Sequence, residues 1–367
     1  FEARNATLLE YHVLDDGVVI WVVDQTGKVF AVKQNIAKEK LQALIDSVRQ
    51  VLEVEESVSP NKKTAASRKK ARTPLLQTLD ALLIRPVRSY LPKDSNQPLV
   101  ILPHDVLFLL PFACLMDSSG QYLTQRYTFS TAPSVGLLKF TREKSREQQD
   151  REHSKLLLMG NPKMPDYDLW LPLPGAEKEV KRIADQVNRT KEVGFSIPHA
   201  APRQALPLIR AQATEAEFRQ IASVHNYIHL ATHGYVVSDA LRCGLVLAKT
   251  GKTMETDGIL TTAEIFGLPL NAELVVLSAC QTGLGEISSD GVAGLSRAFL
   301  YAGASSLIVS LWSVSDEVTQ DLMVKFYEEL SRDGNKARAL RTAQLATMEK
   351  HPRSKDWAAF VLVGQPK

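Results

Sequence analysis

From residue 155 onward the chain alternates short, predominantly apolar runs with stretches of helical period. The runs 155–159, 227–231, 273–277, 305–311 and 358–363 are dominated by apolar residues at neighbouring positions, not at every second one. A strand of that kind has no solvated face and must be covered on both sides. Between the runs, 175–187, 214–222, 292–302, 318–330 and 336–350 carry apolar residues at three- and four-residue spacing, as amphipathic helices do. Thr214 with Glu217 has the spacing of a capping box. Strands alternating with helices predict an α/β fold, a parallel-rich sheet sandwiched by helices. In such sheets, sites lie beyond the carboxyl ends of the strands.

The first part reads differently. Runs 7–14, 18–23 and 28–33 are split by Asp15-Asp16-Gly17 and Asp24-Gln25-Thr26-Gly27, which predicts a β-meander. Residues 36–54 and 74–91 read as helices and 99–102 as a buried strand. Residues 61–72 hold six basic residues and no acid. Without interleaved aromatics this reads as a solvated, mobile loop and not as a nucleic-acid patch. Residues 141–155 are dense in charge and nearly free of apolar side chains, as a linker or an exposed helix would be, and mark a boundary. The chain thus divides into 1–140, a charged linker 141–155, and 156–367.

A net charge of +3 argues against direct nucleic-acid or membrane-surface binding. There is no run of 18 apolar residues that would cross a bilayer, and no signal-peptide pattern. The three cysteines, Cys114, Cys243 and Cys280, are too few and too far apart for a disulfide framework, which suits a reducing, cytoplasmic setting. Cys114 and Cys243 lie in apolar or strand-like stretches and read as core residues. The start at Phe1 reads as the beginning of a piece of a longer protein.

Two strand exits carry chemistry. One is Tyr227-Ile228-His229-Leu230-Ala231-Thr232-His233-Gly234, the other Leu274-Val275-Val276-Leu277-Ser278-Ala279-Cys280-Gln281-Thr282-Gly283. Each presents one reactive side chain beside a glycine-containing turn. Cys280 follows His233 by 47 residues, near the interval of roughly 50 between histidine and cysteine in caspases. A cysteine attacks an acyl carbon as thiolate, and at neutral pH it needs an imidazole to take its proton. The backbone N–H groups of Gly234 and Cys280 are candidates for an oxyanion hole. A cysteine closing an apolar strand is also commonly a packed core residue, and on spacing alone both readings stand. His229 reads as buried within the sheet. His225 and His229 lack a further ligand at zinc spacing, so no metal is expected. Gly251 and Gly258 form no phosphate loop, so no cofactor is expected either.

At these residues the chain resembles the CHAT family of caspase-like cysteine peptidases, which includes relatives of separase. The resemblance rests on His229-Leu230-Ala231-Thr232-His233-Gly234 and Leu277-Ser278-Ala279-Cys280-Gln281-Thr282-Gly283. It extends through residues 99–112 and 122–134, Leu173-Pro174-Gly175-Ala176-Glu177, and Leu311-Trp312-Ser313-Val314-Ser315-Asp316. The resemblance implies two caspase-like units, a non-catalytic 1–140 and a catalytic 156–367. It implies His233 and Cys280 as the dyad. It also implies an acidic contact to a basic P1 side chain just after the Leu-Trp strand end. Here Asp316 stands in that stretch, with Ser313 where relatives can carry another acid; Asp290 and Asp257 are further acidic candidates. The caspase string Gln-Ala-Cys-Arg-Gly is not reproduced, which argues against aspartate specificity. Upstream tetratricopeptide repeats or a bound partner are expected to control activity on a protein substrate. The competing reading is a catalytically silent protein-interaction scaffold of the same fold; acyl transfer to another acceptor would use the same dyad.

Overall fold

The computed structural model describes residues 6–54, 62–149, 155–166, 169–192, 205–253, 256–279 and 289–367. The strands are β1 (Thr7–Leu14), β2 (Gly17–Val23), β3 (Val29–Asn35), β4 (Pro98–Leu102), β5 (Thr128–Thr131), β6 (Leu156–Pro162), β7 (Leu208–Arg210), β8 (Tyr227–Thr232), β9 (Gly234–Tyr235), β10 (Gly244–Val246), β11 (Ile259–Thr261), β12 (Leu274–Ala279), β13 (Ser306–Ser310) and β14 (Phe360–Gly364). The helices are α1 (Lys38–Val54), α2 (Lys62–Leu83), α3 (Leu123–Arg126), α4 (Val135–Gln149), α5 (Pro174–Glu192), α6 (Glu215–Ile221), α7 (Thr262–Phe266), α8 (Ser289–Tyr301), α9 (Asp316–Asp333), α10 (Lys336–Lys350) and α11 (Ser354–Trp357).

Eleven strands form one sheet in the order β3-β2-β1-β4-β5-β14-β13-β12-β8-β6-β7. All neighbours run parallel except β3–β2, β2–β1 and β14–β13. The antiparallel pairs at one end are the expected meander. The final strand β14 lies between β13 and β5, and so joins the first part of the chain to the second in one sheet. The strands β9, β10 and β11 form a separate small sheet.

Burial follows the two-residue period of a strand. Tyr227, Ala231, Leu274, Val276 and Ile308 pack on one face with Val180 and Ile183 of α5, Phe326 of α9 and Ala343 of α10. Ile228, Leu230, Val275, Leu277, Leu307 and Val309 pack on the other, against Phe218 of α6, Ile265 of α7 and Phe299 of α8. Both faces being covered explains why these runs are predominantly apolar.

Two segments depart from expectation. The basic run expected as a loop at 61–72 is helical from Lys62, as part of α2. Its lysines, arginines and alanines are strong helix formers, and no glycine or proline interrupts them before Pro74. The helix expected over 74–91 ends at Leu83, and a 3₁₀ turn over Arg85–Tyr90 follows with Pro86 in its first turn, where a missing N–H costs no hydrogen bond. The charged stretch after residue 141 is helical to Gln149 in α4. Its buried Gln148 donates to the carbonyls of Ala272 and Gly303 at 3.3 and 3.2 Å, so the helix is anchored onto the second part of the chain.

Candidate functional site

The strands β8 and β12 lie side by side, parallel, and in register from Tyr227 opposite Leu274 to Thr232 opposite Ala279. Their last paired residues therefore end at one level of the sheet. His233 follows Thr232; Cys280 follows Ala279 and lies outside the described residues.

The exit of β8 is pinned to the small sheet. The Val246 N–H donates to the His233 carbonyl at 3.0 Å, and the Thr232 hydroxyl donates to the Val246 carbonyl. The half-buried His233 ring is held by its far nitrogen, Nε2, which lies 2.8 Å from the Leu171 carbonyl oxygen. A carbonyl only accepts, so Nε2 carries the hydrogen and Nδ1 of the neutral ring keeps its lone pair. Gly234 opens β9 and pairs with Leu245 of β10.

Beside this exit is a shallow cleft lined among others by Leu173, Glu179, Thr232, Ser278, Trp312 and Asp316. It is bounded by the ends of β8, β12 and β13 and the first turns of α5 and α9. The indole N–H of Trp312 donates to the Lys355 carbonyl at 2.8 Å, which fixes that wall. Asp316 begins α9 and lies against Gly175 so closely that a β-carbon at 175 would collide with its carboxylate. Absence of a side chain at 175 is what gives Asp316 its place.

Ser313 sits between Trp312 and Val314, both of which line the cleft. Asp290 belongs to α8, and its side chain lies outside the described residues. Asp257 is placed elsewhere: it precedes β11, at the edge of the small sheet away from β9, and accepts from the Ile259 N–H at 2.8 Å.

His229 points into the core. Its Nε2 donates to Glu179 at 2.9 Å, and Nδ1 faces the Tyr327 hydroxyl at 3.3 Å. Burial pushes the Tyr327 phenol well up, so it stays a donor to the imidazole. Glu179 thus links the cleft wall to a buried polar network. Neither Glu179 nor Leu171 stands out as a site residue in the sequence. The Leu171 contribution is a backbone oxygen, which no side chain announces; the one local signal is the proline pair in Leu171-Pro172-Leu173-Pro174, which stiffens that segment.

A family profile described as the CHAT domain matches residues 73–365. Tetratricopeptide repeat protein 28 of Mus musculus is 27% identical over 362 residues, aligning 84% of this chain with 14% of that protein. The Homo sapiens protein of the same name is 27% identical over 343 residues, covering 79% of this chain and 13% of that protein. The chain therefore spans about 14% of the length of the curated relatives it matches. Among solved structures, the Saccharomyces cerevisiae separase–securin complex superposes with a TM-score of 0.60 at 11% identity, covering 100% of this chain and 30% of that chain. The Arg-specific cysteine proteinase gingipain R superposes with a TM-score of 0.50 at 12% identity, covering 80% of this chain and 67% of that chain. The large, mostly parallel sheet with helices on both faces is the caspase-like fold these structures share.

Proposed function

The chain belongs to the CHAT domain family, and from that premise we propose that it is a cysteine endopeptidase with Cys280 as nucleophile and His233 as general base. The register of β8 and β12 carries this reading. With Thr232 opposite Ala279, the residue that follows in sequence is His233 after one strand and Cys280 after the other. Adjacent strands lie ~4.8 Å apart, and Cys280 is bonded directly to Ala279, its Cα about 3.8 Å from that of Ala279.

The chemistry follows from the tautomer. With Nε2–H held by Leu171, Nδ1 takes the Cys280 thiol proton, and the thiolate attacks the acyl carbon. The N–H groups of Gly234 and Cys280 stabilise the oxyanion. The imidazolium returns the proton to the leaving amine as the C–N bond breaks. Water, deprotonated at the same nitrogen, then hydrolyses the thioester.

Asp316, with Ser313 beside it, is proposed to receive a basic P1 side chain in the cleft, where a carboxylate would pair with an ammonium or guanidinium. The superposition on a proteinase named for arginine specificity supports the same preference. Asp290 is a further acidic candidate from α8. The relatives named for tetratricopeptide repeats support control by such repeats, or by a bound protein, acting on cleavage of a protein partner.

A positional-scanning peptide library, with and without candidate partner proteins, tests this beside Cys280→Ala. Cleavage after basic residues that disappears in the variant supports the proposal. Cleavage retained in the variant removes Cys280 from the role. No cleavage under any condition, with no labelling of Cys280 by an acyloxymethyl ketone, favours the scaffold reading.

A further inference from the structure

The strand β6 and the short β7 end in an irregular corner, where their register shifts between Gly160 and Pro162. Asn161 and Arg210 both adopt left-handed backbone there, with φ of 47° and 51°. Asparagine tolerates that region; an arginine in it is strained and persists only where its surroundings hold it. Both side chains converge on one carboxylate. The Asn161 amide N–H donates to Glu177 Oε2 at 2.9 Å. Arg210 donates through Nε to Oε2 at 2.9 Å and through a terminal nitrogen to Oε1 at 3.3 Å. Lys181 donates to Oε1 at 2.7 Å. Glu177 is buried and its carboxyl is held down to about 2, first by Lys181, then by Arg210 and Asn161, so it remains ionised near neutral pH.

The cluster grips the segment that holds His233. Asn161 Oδ1 accepts from the Leu173 N–H at 2.8 Å, and the Glu177 N–H donates to the Leu173 carbonyl at 3.2 Å. Leu173 is two residues after Leu171, whose carbonyl holds His233 Nε2. The intervening sequence is Leu171-Pro172-Leu173-Pro174. Each proline fixes its own φ and keeps the residue before it extended, so these four residues behave as a stiff rod. A displacement at Leu173 is then passed to Leu171.

We infer that Asn161, Glu177 and Arg210 are positioning residues that set the imidazole of His233 through the rigid Leu171–Pro174 rod. None of them contacts the reacting atoms. The inference rests on the His233–Cys280 reading and adds to it a reason for the strained corner.

The test is the rate of alkylation of Cys280 by iodoacetamide as a function of pH, in the full-length protein, with the labelled cysteine identified by mass spectrometry. Losing the Nε2–H···O bond weakens the imidazolium that supports the thiolate. Asn161→Gly removes the grip on Leu173 while accepting the left-handed backbone. It should alkylate roughly tenfold more slowly near pH 6.5. Near pH 9.5, above the free thiol value of ~8.5, it should return to about the wild-type rate. A general packing defect would not be confined to low pH. Pro172→Gly, at an exposed position outside the cluster, loosens the rod alone and should show the same pH-selective loss; it decides the matter if Asn161→Gly does not fold. Wild-type rates at pH 6.5 in a folded Asn161→Gly and in Pro172→Gly overturn the positioning role. In parallel, His233→Ala should lose the near-neutral reactivity entirely. If it matches wild type, the dyad itself is wrong, which is a separate result.

Discussion

Replacing Glu177 by Gln should remove a contribution to stability that exists only above acid pH. In the folded protein the Glu177 carboxyl is lowered from 4.5 to about 2, first by Lys181, then by Arg210 and Asn161. A lowered folded value means that folding favours the ionised form. The contribution is therefore complete above the unfolded value near 4.5 and is lost as pH falls toward about 2. At ~1.36 kcal/mol per pH unit, that gap sets a ceiling of about 3 kcal/mol. The Glu177 side chain is only 10% exposed, but those of Lys181 and Arg210 are 51% and 71% exposed. Solvent screening at these open partners reduces the expected effect to about 1–2 kcal/mol. The assay is urea unfolding of wild type and Glu177→Gln at a series of pH values from neutral to about 3, at low salt. The stability difference should be level near neutrality, shrink below about pH 5, and fall to less than half of its neutral value by about pH 3. Added salt at neutral pH should narrow it as well. A difference that stays constant from pH 7 to 3 would refute the ion-pair account and assign the effect to packing.

Three other outcomes follow from local geometry. His229→Leu leaves the buried Glu179 side chain without its 2.9 Å partner and should cost about 3 kcal/mol in chemical unfolding; an unchanged midpoint would mean that this contact does not support the fold. Gly303 has a φ of +117°, and a β-carbon there would strike the Leu270 carbonyl, so Gly303→Ala should destabilise by about 1–3 kcal/mol, read as a lowered melting temperature. Thr214→Ala removes the hydroxyl that accepts from the Glu217 N–H at 3.0 Å and should cost about 1 kcal/mol; Thr214→Ser should restore most of it.

Features that depend on neighbours along the chain are legible in the amino-acid order itself. The predominantly apolar runs at β6, β8, β12 and β13, with no alternation of apolar and polar positions, require a sheet covered on both faces, because a strand with a wet face alternates. The Thr214 cap is decided within a few residues, and it forms where its local pattern lies. The histidine and cysteine can be named because each closes such a run. What depends on distant partners is not legible. The basic stretch from Lys62 is helical although its charge suggests a loop, since charge measures solvation while Ala, Lys and Arg also favour helix. The insertion of β14 between β13 and β5, antiparallel to one and parallel to the other, includes a pairing across more than 200 residues that no local period encodes. Asp316 and Asp257 are alike as acidic residues in a string. Only packing puts Asp316 against Gly175 at the cleft and Asp257 at the other edge of the small sheet. Most of all, the group that orients His233 is the carbonyl of Leu171, 62 residues earlier. Every residue has such an oxygen, so its role is decided by where the folded backbone places it and by nothing in its side chain.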